Sequence, residues 1–143
     1  MKTNNIQKKT FEDTNVNVKV KIATLWASFM FLYIYVDFFH LYMPNTLESM
    51  LAGRVFTFDI SMFFLLFAMT FVIIPSLMIY LSVALPAKAN RMVNLIAGIL
   101  FIPYMLFNLV GEAWPHMYLA ATVEVLQLCL IIRYAWKWPV QSK

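Results

Sequence analysis

Four apolar stretches, each about long enough to cross a bilayer, dominate this chain of 143 residues. They cover approximately residues 20–43, 58–85, 92–110 and 117–138. A helix needs roughly 20 residues to span the hydrocarbon core, where backbone polar groups have only one another to pair with. The pattern therefore predicts an all-α fold: a polytopic membrane protein with four transmembrane helices in one bundle. Composition agrees, because 62% of the residues are hydrophobic and 13% charged, against about half and about a quarter in a soluble domain. Residues 1–18 read as a polar flexible N-terminus, 19–138 as the four-helix transmembrane domain and 139–143 as a C-terminal tail. The first stretch does not read as a cleaved leader: it is too long, follows a polar segment and lacks a small-x-small cleavage site.

Charge predicts the orientation. Lys2, Lys8, Lys9, Lys19 and Lys21 precede the first stretch, Lys88 and Arg91 follow the second, and Arg133, Lys137 and Lys143 close the chain. Arg54 alone falls on the other side, so ten of the eleven basic residues share one face of the membrane. The positive-inside rule then puts both termini in the cytoplasm of a cell with the chain in its inner membrane. Trp26, Trp136 and Trp138 are expected at the inner interface and Trp114 at the outer one. Topology accounts for the net charge of +4, and no nucleic-acid partner is implied. The single cysteine, Cys129, excludes an internal disulfide and a cysteine-rich metal site, and reads as a packing residue.

The connections are short. In PNTLESMLAGRVF, Pro44 ends the first helix, Asn45 and Glu48 have capping-box spacing, and Leu47, Met50, Leu51 and Val55 share a face. That combination predicts a short interfacial helix in the first outer loop. Asp59 then reads as an acid at the start of the second transmembrane helix. PAKANR reads as a tight inner turn, and Pro115 is suited to open the fourth helix. Pro75 and Pro103 fall inside the second and third helices, where each removes one backbone hydrogen bond and is expected to kink its helix.

Polar residues inside apolar helices carry the functional signal, because burying them in lipid is costly. On the first helix Trp26, Met30, Tyr33, Asp37, His40 and Pro44 recur at steps of three and four, and so form one stripe. Asn94, Gly98, Phe101, Met105, Asn108 and Glu112 repeat the pattern on the third. Glu124 shares a face with Ala120, Ala121 and Gln127 on the fourth, and Asp59 and Thr70 align on the second. Facing stripes predict a polar pocket in the outer half of the bundle, with Glu124 roughly 12 Å deeper than His116 at 1.5 Å per residue. The inner half is expected to be closed by Leu, Ile, Met and Phe. Candidate ligand-binding residues are Tyr33, Asp37, His40, Asn108 and Glu124, with Asp59, Glu112, His116 and Gln127 as accessories.

The segments LYIYVDFFHLYMPNTLESMLAG, LPAKANRMVNLIAG and AATVEVLQLCLIIRYAWKW resemble a family of small bacterial four-helix membrane proteins known only as a domain of unknown function. The YxYxD pattern of Tyr33, Tyr35 and Asp37, the ANRxxN turn of Ala89 to Asn94 and the ATVEV segment around Glu124 carry the likeness, which covers about residues 18–138. The resemblance implies a carboxylate just before the proline of the second helix; this chain has Ile74 before Pro75 there. It implies a topology but no activity.

The residues leave three functions open. The favoured one is an integral membrane protein that binds a small hydrophobic or cationic ligand, or a lipid, in an outward-facing intramembrane polar pocket. A proton-coupled small carrier and an accessory subunit of a membrane complex are the alternatives, and self-association stays open. Asp37 and His40, one turn apart, could equally form a satisfied pair that fixes helix packing. Catalysis is not the favoured expectation: no serine lies near His40 to complete a hydrolase triad, and no glycine-rich phosphate loop is present. No cofactor is implied. The Glu-x-x-His pairs of helical metal centres are missing, so no metal site is expected either.

Overall fold

The computed structural model describes residues 15–55, 58–111 and 114–139. Four long helices make up most of it: α1 (Val18–His40), α3 (Met62–Ala84), α4 (Ala87–Phe107) and α5 (Pro115–Trp136), each long and apolar enough to cross a membrane. Between α1 and α3 lie the short helix α2 (Thr46–Leu51) and a two-stranded antiparallel hairpin, β1 (Arg54–Val55) and β2 (Phe58–Asp59). The protein is a multi-pass membrane protein whose exposed surface is rich in large apolar side chains, including Phe31, Phe63, Leu66, Leu100 and Leu119.

Local chemistry sets the helix ends. Asn17 caps α1 by accepting a hydrogen bond from Lys19 N at 2.9 Å, and Ser61 caps α3 by accepting from Phe64 N at 3.1 Å. Pro115 opens α5, where its missing N–H costs nothing. Residues Leu85 and Pro86 alone join α3 to α4, so the inner turn expected over PAKANR is already the first turn of α4. Pro75 and Pro103 lie within continuous helices, Pro75 buried and Pro103 exposed.

Helix α1 packs along α3 and α5, and α5 packs along α4; α3 and α4 touch least among these neighbours. The start of α1 meets the end of α3, where Lys19 Nζ donates to the carbonyls of Val83 and Leu85 at 3.2 and 2.6 Å. This end, which also carries Lys21, Lys88, Arg91, Arg133 and Lys137, is called the basic end below. Aromatic rings fill the core. Trp26 and Phe29 of α1 meet Phe101 of α4 edge to face, with centroids 6.1 and 5.9 Å away. Phe71 of α3 stacks on Tyr104 of α4 at 4.1 Å. Helices α4 and α5 approach closely at Gly98, where a Cβ would fall 2.7 Å from Ile132 Cγ1.

Burial is uneven along the bundle. The buried residues of α1 are Ile22, Ala23, Trp26, Phe29, Met30 and Tyr33, and those of α3 are Pro75, Met78 and Ser82. The half of α3 from Met62 to Ile74 has no buried residue. Helix α3 is thus enclosed only toward the basic end and α1 only as far as Tyr33. Helices α4 and α5 instead carry buried residues from one end to the other, Met105, Met117 and Ala121 among them.

Several expectations need correction. Helix α1 ends at His40, not near Met43, and α3 begins at Met62, not near residue 58. Asp59 is consequently not a helix-start acid; it lies exposed on β2, in register with Arg54. Asn45 adopts φ 64°, a left-handed conformation that asparagine tolerates, and its side chain makes no cap hydrogen bond, so the capping box does not form. Thr70 is exposed and returns its hydroxyl to the Leu66 carbonyl at 2.8 Å; the α3 stripe through Asp59 and Thr70 therefore does not face inward. Trp26 is fully buried in the protein core, and Cys129 is exposed rather than packed.

Candidate functional site

Three of the polar residues singled out from the sequence, Tyr33, Asp37 and Glu124, lie within electrostatic range of one another on α1 and α5, with Tyr104 of α4 beside Tyr33. On α5 the buried positions Met117, Ala121, Glu124, Leu128, Ile131 and Ala135 follow helical spacing, so Glu124 sits on the seam of the bundle. Its side chain is 4% exposed, and Oε1 is buried with no hydrogen-bond partner. Tyr33 of α1 is buried on the facing stripe, with its hydroxyl 3.0 Å from the Tyr104 hydroxyl of α4. Asp37, one turn beyond Tyr33, is within Coulombic range of both Tyr33 and Glu124.

Asp37 itself is exposed, one turn beyond Tyr33, the last buried residue of α1. The inward stripe on α1 therefore runs from the closed core at Trp26 to an open position at Asp37. The two carboxyl groups differ in setting: one is at an open position, and the other is enclosed in the seam. Gln127, one turn further along α5, is half-buried and donates through Nε2 to Ser28 Oγ at 2.8 Å. Its Oε1, like Glu124 Oε1, is buried and accepts no hydrogen bond.

The other candidates lie elsewhere. His40 is half-buried and lines a cleft of about 270 Å³ against the connection between α1 and α3, with Met43, Asn45, Ser49, Arg54 and Trp114 around it. His116 is exposed near the start of α5 and borders a second, largely apolar cleft of about 430 Å³, between α1 and α5, with Tyr35, Phe39, Tyr42 and Trp114. Asn108 is half-buried at the end of α4, where its backbone N–H bonds to the Tyr104 carbonyl at 3.2 Å. Asp59 is on the hairpin, and Glu112 lies outside the described residues. Neither cleft is lined by Tyr33, Asp37 or Glu124. Among the described residues, no three His, Cys, Asp or Glu are grouped to hold a metal ion.

The basic end holds a polar cluster that the sequence did not lead us to expect. Ser82, Asn90 and Asn94 are fully buried there with Trp26. Asn94 Oδ1 accepts from Trp26 Nε1 at 2.6 Å and from Ser82 Oγ at 3.2 Å. Asn94 Nδ2 donates to the carbonyl and to Oδ1 of Asn90, at 2.9 and 2.7 Å. Asn90 Nδ2 in turn donates to the Ser82 carbonyl. Both hydrogens and both lone pairs of the Asn94 amide are thus used, as burial in a low-dielectric interior demands. The basic end is closed by this network as well as by apolar side chains. Asn90 and Asn94 four residues apart, next to a proline, were the sequence signal that could have found it.

The two polar groups differ in kind: the asparagine network satisfies itself, while the acid site leaves acceptors open. No curated protein and no solved structure matches the chain. A family model described as a family of unknown function, DUF6326, matches residues 8–142. The chain therefore belongs to the DUF6326 family.

Proposed function

We propose that the protein binds a small hydrophobic or cationic ligand, or a lipid, at the intramembrane site formed by Tyr33, Asp37 and Glu124. The observation that carries this is Glu124 Oε1: an acid oxygen enclosed within the bundle with no partner, beside a second acid. An uncompensated carboxylate in that setting is expensive, and intramembrane acids that persist usually serve an ion, a proton or a ligand. Tyr33, Tyr104 and Phe71 supply aromatic surface beside the acids, suited to an apolar or cationic guest. The open position of Asp37 gives such a guest access. The site belongs, in this proposal, to the outward half of a bundle whose termini are cytoplasmic.

Thermal unfolding of the purified chain with 2-phenylethylamine and with neutral 2-phenylethanol tests the proposal. A stabilising shift in wild type that vanishes in Glu124→Gln and weakens in Asp37→Asn is the expected result. Equal shifts in all three proteins would remove both acids from any binding role. Proton uptake by reconstituted vesicles without a ligand shift would favour a proton-coupled carrier instead.

A further inference from the structure

Two buried acceptor oxygens, Glu124 Oε1 and Gln127 Oε1, lie one turn apart on the same face of α5, and neither receives a hydrogen bond. Residues three apart on a helix are neighbours on its surface, so a single guest can reach both. We infer that the site takes an ammonium that still carries N–H groups, with one hydrogen donated to Glu124 Oε1 and another to Gln127 Oε1. This rests on the binding function proposed above and narrows it to a chemical class.

The pattern of orphans excludes poorer fits. A neutral apolar ligand would leave both oxygens without donors, at a cost for each. A quaternary ammonium would neutralise charge but has no N–H to give, and would leave Gln127 Oε1 unsatisfied. Gln127 Nε2 donates to Ser28 Oγ at 2.8 Å, and in this orientation of the amide its oxygen faces away from that hydroxyl. Asp37, one turn beyond Tyr33 on α1, adds a second acid to this side of the site. The ring of Tyr33 lies in the same cluster, and a protonated amine on an aromatic tail matches both the acceptors and that surface. Glu124 is roughly 12 Å along α5 from His116, deeper than a headgroup ordinarily sits, which favours a free amine over a lipid headgroup.

The full-length protein in phosphatidylcholine nanodiscs should be titrated calorimetrically with 2-phenylethylamine and its N-methyl, N,N-dimethyl and N,N,N-trimethyl derivatives. Affinity should fall along the series, by roughly tenfold or more between primary and quaternary amine. Gln127→Leu should bring the primary amine down to the quaternary level, and Glu124→Gln should abolish binding of both. Phosphatidylethanolamine added to the discs should not displace the probe; displacement would assign the ammonium to a headgroup and still uphold an N–H donor. Quaternary binding as tight as primary, still dependent on Glu124, would overturn this inference and leave the proposed function standing. Unchanged primary binding in Gln127→Leu would also overturn it, since Glu124 and the Gln127 amide would then satisfy each other. No binding of any amine to wild type would overturn this inference and confine the proposed function to a neutral ligand or a lipid.

Discussion

Asn90 donates its side-chain amide to the carbonyl of Ser82, the acceptor that Pro86 leaves without a helical partner. In a helix that carbonyl would take the N–H four residues on, and residue 86 has none. The preceding bond, Leu85 N to Leu81 O, is still made at 3.0 Å. Removing the amide should therefore expose a defect already built into the backbone. Asn90→Leu is expected to lose about 1–3 kcal/mol, read as a lower midpoint in denaturant unfolding of detergent-solubilised protein. A change under about 0.5 kcal/mol would show that the carbonyl finds water or another donor.

Trp26 and Ser82 both donate to Asn94 Oδ1. Deleting either one leaves that oxygen a partner, whereas deleting both leaves it none. Trp26→Phe and Ser82→Ala should each cost about 1 kcal/mol. The double variant should lose about 0.5–1 kcal/mol more than their sum. A strictly additive cycle would mean that Asn94 reorients to recover a donor.

At Gly98 the gain in helix propensity from alanine, about 1 kcal/mol, is set against a Cβ placed 2.7 Å from Ile132 Cγ1. Overpacking costs about 1–3 kcal/mol, so Gly98→Ala should be net destabilising by about 1 kcal/mol. In an Ile132→Ala background the obstruction is gone. There the same substitution should become neutral or stabilising, and persistence of the penalty would locate the cause elsewhere.

Fusion reporters test the orientation. A periplasm-active enzyme placed after Lys143 should stay silent, and the same enzyme inserted after Leu51 should be active. Reversing the two outcomes would require the basic end to face outward, against the positive-inside bias.

Much of the fold was legible because a bilayer imposes it: apolar length marked the four spans, and Pro115 marked a real helix start. The third helix, expected to run to about residue 110, ends at Phe107. Helical spacing also placed Tyr33, Gly98, Phe101, Met105 and Glu124 on buried faces correctly. Spacing says nothing about depth of packing, however. Asp37 continues the Tyr33 stripe and yet is exposed, because cover depends on which neighbouring helix reaches that far, which spacing along one helix does not encode. The hairpin that carries Asp59 has two-residue strands, too short for any alternation to register. The asparagine network was missed for a different reason. It answers a vacancy in the backbone, and a missing N–H is visible only when each carbonyl is followed to its expected donor.

The connection between α3 and α4 has one more implication, for motion. The two helices leave a vertex fixed by Leu85, Pro86, the Ser82–Asn90 bond and the lysine clamp of Lys19 on Val83 and Leu85. Beyond the Phe71–Tyr104 stack, α3 continues for two turns and more with no residue enclosed by protein. Such an arm is a lever with a stiff pivot: displacement grows with distance from the vertex, and little packing opposes it. Bending α3 there would leave the asparagine network at the vertex undisturbed, so this helix can move at one end without loosening at the other.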